Sequence, residues 1–181
     1  MIIWLNGAFG AGKTTTAAEL AAIMPATRLF DPELVGYLLT EYLKDHYFSD
    51  FQELQPWRTL VPVVTSEIAR FTGQHLIATQ AVLSEGFWKE LQQGFKQHSL
   101  AVFHVVLHVD AEVLARRINA DKLERKARQW RLDHIHDYAA ARPWMVASAD
   151  LVVDSTSLSV TDVARSIRQA IQQPGASSTP A

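Results

Sequence analysis

Along nearly the whole chain, short apolar runs alternate with stretches in which apolar residues recur every three or four positions. The runs Ile2 to Leu5, Thr27 to Phe30, His75 to Thr79, Ala101 to Val109 and Leu151 to Asp154 read as strands. Ala101 to Val109, AVFHVVLHV, is almost entirely apolar and β-branched, the mark of a central parallel strand covered on both faces. Between the runs, helical spacing marks Thr15 to Met24, Glu33 to Lys44, Arg58 to Phe71, Phe87 to Gln97 and Ala111 to Ile118. Pro62 is expected near the start of its helix, Asp110 as the cap of Ala111 to Ile118, and Pro143 as the stop of a helix reaching Arg142. Ser159 and Asp162 match a capping box for a last helix, Val160 to Gln172, whose Val160, Val163, Ala164, Ile167 and Ile171 share the face that covers a sheet. Strand and helix alternating in this way predict an α/β fold, a five-stranded parallel sheet wrapped by helices.

The first strand runs into Gly7-Ala8-Phe9-Gly10-Ala11-Gly12-Lys13-Thr14, a complete GxxxxGK[ST] loop, and a helix follows. Strand, glycine loop and helix in that order are the context the motif requires. Glycines let backbone N–H groups point inward around phosphate oxygens, and the helix N-terminus adds about half a positive charge. Gly7 through Thr15 are therefore expected to hold ATP, with Lys13 on its β- and γ-phosphates and the Thr14 hydroxyl on Mg²⁺. Phe9 is an unusual filler that either packs by the loop or faces an acceptor site.

Composition narrows the class without adding chemistry. The 181 residues are 48% hydrophobic and 20% charged, as in a soluble globular protein, and a net charge of -2 argues against a nucleic-acid partner. There is no cysteine, hence neither a disulfide framework nor a Cys-based zinc site. A strand beginning at residue 2 leaves no room for a signal peptide, and a cytoplasmic location is expected. The seven histidines make no metal pattern, and His104 and His108 are expected to be packed and hydrogen-bonded. The charge of the last helix is balanced, which disfavours a membrane-surface role. Residues 174–181, PGASSTPA, read as a flexible tail.

Parallel sheets offer ligands the carboxyl ends of their strands, so Asn6, Asp31, Gln80 and Asp154 to Thr156 are expected near the loop. Asp31 has two readings: it takes a proton from an acceptor hydroxyl or holds Mg²⁺ through water, or it caps the helix beginning at Pro32. Arg58, after an aromatic loop containing Tyr47, Phe48, Phe51 and Trp57, is expected to clamp the acceptor. The basic segment around Arg116, Arg117, Arg125, Arg128 and Arg131 reads as a lid that closes over ATP.

With these residues assembled, the chain resembles phosphate-loop (P-loop) kinases of the nucleoside-monophosphate-kinase-like group. More narrowly it is similar to the tunicamycin-resistance (TmrB-like) ATP-binding proteins. The stretches MIIWLNGAFGAGKTTTAAEL, FDPELVGYLL, FQELQPWRTL and LARRI carry the likeness. It implies a three-layer P-loop NTPase fold, adenylate-kinase-like, in a single domain over residues 1–173 with a short lid at about 119–132. It also implies an ATP- and Mg²⁺-dependent phosphotransferase acting on a nucleoside-like molecule such as tunicamycin. The alternatives are a protein that binds ATP and sequesters the antibiotic without modifying it, or a nucleotide kinase. By the same likeness Asp31 lies near the acceptor and Arg117 over the adenine. The chain departs where such kinases carry an Asp at the end of the third strand, here Gln80, and a further lid arginine, here Asp121. The phosphate-facing lid arginine is then Arg125 or Arg128, and the catalytic set is Lys13, Asp31, Arg58 and Arg128.

Overall fold

A computed structural model of the chain describes residues 1–122 and 125–173. Leu123, Glu124 and the expected tail at 174–181 lie outside the described residues. The five strands are β1 (Ile2–Gly7), β2 (Thr27–Phe30), β3 (His75–Thr79), β4 (Val102–His108) and β5 (Leu151–Asp154). They form one parallel sheet in the order β2-β3-β1-β4-β5. β1 lies at the centre and is buried along its whole length. Its alternation sorts residues to two cores. Ile3 and Leu5 join Leu20, Ile77, Val105, Ala164 and Ile167 on one face, while Ile2 and Trp4 join Trp57, Trp88, Leu91 and Phe95 on the other.

The first core is roofed by α1 (Lys13–Ile23) and α8 (Val160–Gln172), the second by α3 (Gln55–Thr72) and α4 (Glu85–Gln97). The remaining helices are α2 (Glu33–Tyr42), α5 (Ala111–Ala120), α6 (Arg128–Asp133) and α7 (Ile135–Ser148). Because β1 has β3 on one side and β4 on the other, strand order reverses at its carboxyl end, where α/β sheets open a crevice.

Three expected details differ. α3 begins at Gln55, so Pro56 takes the opening position and Pro62 lies inside the helix, buried against α4. A β-carbon on Gly94 would stand 2.6 Å from Pro62 Cγ, so the glycine is what allows this crossing. Pro143 does not stop its helix: α7 runs through it to Ser148. Proline's fixed φ is helical, and both Pro143 and Ala139, whose carbonyl it leaves without a partner, are exposed to solvent. Asp110 holds the N-cap position of α5 without capping it through its side chain. Ser159 does cap α8, accepting from the Asp162 N–H at 3.1 Å. Among the described residues no helix is long and apolar enough to cross a membrane.

Candidate functional site

The crevice at the end of β1 is lined by the glycine loop. Gly7 has φ 137°, and a β-carbon there would come within 2.5 Å of the Leu107 carbonyl oxygen on β4. Gly12, at φ 89°, turns the chain directly into α1, which has neither a side-chain cap nor an acidic residue in its first turn. The leading N–H groups of α1 are therefore free of side-chain acceptors and face an open end, an arrangement suited to phosphate oxygens. The Thr14 hydroxyl is exposed at this rim, while Thr15 Oγ1 donates to Gly12 O at 2.9 Å. Among the described residues no group of three or more His, Asp or Glu side chains is placed to hold a metal ion. A Mg²⁺ ion would need only one or two protein ligands, completing its shell with phosphate and water, and the exposed Thr14 offers one.

Lys13 Nζ lies against the loop, donating to Gly7 O at 3.0 Å and Ala8 O at 2.8 Å, with the Phe9 ring centroid 5.5 Å away. Burial and then the nearby Arg131 push its pKa down to about 7, with Glu33 opposing. Phe9 itself packs on α6 and the residue after it: its ring meets Trp130 edge-on at 4.6 Å and His134 at 6.0 Å, and those two lie 4.0 Å apart. The same helix brings Arg131 beside Gly10, paired at 2.8 Å with Asp121, the residue that stands where a lid arginine was expected. Arg125 is exposed in a short 3₁₀ turn, and Arg128 is half-buried with its Nε lacking a partner.

Arg117 donates to Ser155 O at 2.9 Å and borders a cavity of about 230 Å³ with Gly10, Gly12, Thr15, Thr16 and Leu158. The cavity adjoins the glycine loop. On the other flank, the exposed Asp31 accepts from the Glu33 N–H at 2.9 Å, which ties the start of α2 and leaves its second oxygen outside that bond. Glu33 accepts from Tyr37 Oη at 3.0 Å. Burial chiefly raises the Glu33 pKa, with Asp31 and Asp50 adding and Tyr37 and Lys13 opposing. Burial also raises Asp50. Glu33 and Asp50 are not marked by the sequence, whereas Arg131 belongs to the basic segment read as a lid. The signal for Glu33 is its place in the first turn after Asp31-Pro32; Asp50 has none.

The Arg58 side chain is only 10% exposed, and its fork is engaged within the protein. Nε bonds Glu90 at 2.7 Å, Nη1 donates to Gln52 O, and the guanidinium lies 4.4 Å from the Phe87 ring centroid. Trp57 is buried, packs on Phe51 and donates to Pro32 O at 3.0 Å, whereas Tyr47 is exposed. Gln80 is buried with Oε1 unpartnered. Residues 80–83 form a junction. Gln80 N donates to Leu5 O, Ala81 O accepts from Gln52 Nε2 at 3.1 Å, and Leu83 O accepts from Trp144 Nε1 at 3.3 Å. Val82 is bound by Asn6. Asp154 accepts from Thr156 N, and Ser155 Oγ donates to His108 O, so that this end of the cleft closes on itself.

A family model described as an AAA domain matches residues 2–142. The structure is similar to the tunicamycin resistance protein of Deinococcus radiodurans, at 26% identity over 94% of each chain and a TM-score of 0.70. It also shares its fold with two kinases. APS kinase of Mycobacterium tuberculosis, solved with AMPPNP and APS, aligns over 95% of this chain and 97% of that one at 18% identity and a TM-score of 0.65. Shikimate kinase from Acinetobacter baumannii, solved with shikimate, aligns over 94% of this chain and 92% of that one at 21% identity and a TM-score of 0.61. No curated protein matches the sequence. The expected P-loop kinase-like fold is thus the one observed.

Proposed function

The chain belongs to the AAA-domain family, and on that premise we propose that it is an ATP- and Mg²⁺-dependent phosphotransferase acting on a hydroxyl of a nucleoside-like small molecule, with tunicamycin the first acceptor to test. The observation that carries this reading is the uncapped glycine cradle, with Lys13 on one side of it and Asp31 and Glu33 on the flank beyond. Residues 7–15 and Arg117 would hold the nucleotide, and Thr14 the metal ion. ATP supplies the phosphoryl group and Mg²⁺ offsets its charge.

The chain's own residues position and neutralise. Lys13, already beside the loop, places a cation where phosphate charge gathers. Asp31, with one oxygen fixed by the Glu33 N–H, keeps the other for an acceptor proton. Arg58 acts from behind by bracing Gln52, and Arg128 and Arg131 bring positive charge from a lid at 119–132. This chemistry belongs in the cytoplasm, where ATP is available. The likeness to the tunicamycin resistance protein supports the acceptor.

Mass spectrometry of tunicamycin incubated with the protein and Mg–ATP is the test. A gain of one phosphate, absent with Lys13→Ala and Asp31→Ala, is expected. Protection that saturates at one drug per protein with no covalent product would replace the reading by sequestration. Phosphorylation of nucleoside monophosphates instead would replace it by a nucleotide kinase.

A further inference from the structure

Behind the glycine loop, between β1 and β4, two buried polar side chains face each other. Asn6 is fully buried and His104 is 1% exposed. The Asn6 amide oxygen accepts from the Gly7 N–H at 2.9 Å and the Val82 N–H at 3.0 Å. Backbone N–H groups only donate, so the orientation of the amide is settled by chemistry. Its Nδ2 then donates to Val82 O at 3.1 Å and reaches His104 Nε2 at 3.4 Å. Nδ2 has no lone pair to offer, so Nε2 must be the bare, accepting nitrogen. The ring proton sits on Nδ1, which faces Ser148 O at 3.2 Å. The imidazole lies 4.2 Å from the Trp88 ring.

Every donor and acceptor of the Asn6 amide is thereby used. It locks the first residue of the glycine loop to Val82, within the junction that also receives Gln52 from the acceptor flank and Trp144 from α7.

We propose that Asn6 and His104 are positioning residues for the glycine loop: a neutral imidazole in its Nδ1–H form orders the Asn6 amide, and that amide sets the Gly7 and Val82 peptides. The inference rests on the phosphotransferase reading for its consequence, and on geometry for its substance. Burial pushes the His104 pKa down to about 4, so the neutral ring persists at working pH. The charged group facing it among the described residues is Asp150, which accepts from the His104 backbone N–H at 2.7 Å.

Calorimetric titration of Mg–ATP into the full chain tests the pair. His104→Phe keeps the stacking on Trp88 but cannot accept from Asn6, and is expected to weaken affinity about tenfold, or about 1.4 kcal/mol. His104→Gln, which can accept, restores most of the loss. In Asn6→Asp the introduced carboxylate still accepts from Gly7 and Val82 N–H but can donate neither to Val82 O nor to His104. A partner then exists for a proton on Nε2, which raises the His104 pKa. Mg–ATP affinity, lowered overall by the lost bond to Val82 O, is highest below that raised pKa and falls as pH climbs through it, a dependence the wild type lacks.

NMR of the wild-type ring nitrogens and of Gly7 amide exchange needs no variant. A protonated Nδ1, a bare Nε2 and a slowly exchanging Gly7 amide are expected. An Nε2–H tautomer, or His104→Phe binding like wild type with Gly7 exchange unchanged, overturns the proposal. If the wild type binds no Mg–ATP, the nucleotide reading falls instead, and the ring-nitrogen and exchange measurements judge the pair by themselves.

Discussion

On the proposed reading, the half of the cleft that would hold the phosphoryl donor is built of main chain, and the half that would hold the acceptor is built of side chains. Gly7 to Thr16 present peptide groups, closed from behind by Asn6 and Leu107, and Lys13 contributes a charge that already rests on Gly7 O and Ala8 O. The flank beyond it instead gathers Asp31 and Glu33 from the start of α2, Asp50 and Gln52 from a second 3₁₀ turn at Phe51–Glu53, and Arg58 from α3. A peptide cradle binds what every nucleoside triphosphate shares. A side-chain flank is where acceptors can be told apart. Substitutions on the two halves should therefore fail in different ways.

The largest break is expected from Lys13→Met, which should lower phosphoryl transfer roughly 10³-fold in an ADP-release assay. The same change should raise the melting temperature of the ligand-free protein. The Lys13 pKa is depressed to about 7, so the charged form costs stability fully below that pH. The gain should shrink as pH rises from about 7 toward the ordinary lysine value. Equal melting temperatures for the two proteins at pH 6 would refute this.

Asp31→Asn sharpens the contrast. The amide oxygen can still accept from Glu33 N–H, so Mg–ATP affinity should hold while turnover drops about 10²-fold. A parallel loss of affinity would mean that the two halves are not separable at this residue.

Phe9→Ala should cost about 1 kcal/mol of docking between loop and α6. Trp130 is 46% exposed, so its fluorescence reports the release. An unchanged spectrum counts against the contact.

The smallest effect is one of pH. The Glu33 carboxyl is held above its ordinary value, so its ionisation lowers stability as pH rises from that value through the raised one. Glu33→Gln should match wild type in acid and exceed it above that window, as read by urea unfolding at several pH values.

The same division explains what could be read without coordinates. The glycine loop is contiguous, so its spacing exposes it, and the unbroken apolar run Ala101 to Val109 marks the strand β4, covered on both faces. Glu33 and Arg131 both reach Lys13, and Asp50 reaches Glu33, only through the fold: the basic run around Arg131 marks a lid but not this neighbour, and nothing local marks Asp50. Phe9 was left open between two roles because its partners Trp130 and His134 lie far along the chain. Pro62 and Pro143 misled for one physical reason: a proline is compatible with a helix when the freed carbonyl finds water or the ring finds a groove, and sequence shows neither.

Where α3 crosses α4, the pyrrolidine ring of Pro62 occupies the room left by the bare Gly94. Keyed together at that point, the two helices can part only by prying, since shearing would drive the ring into backbone. On the proposed reading, a molecule on the acceptor flank would meet an anvil there rather than a hinge, and closure over it would be work for the opposite jaw, α5, α6 and α7.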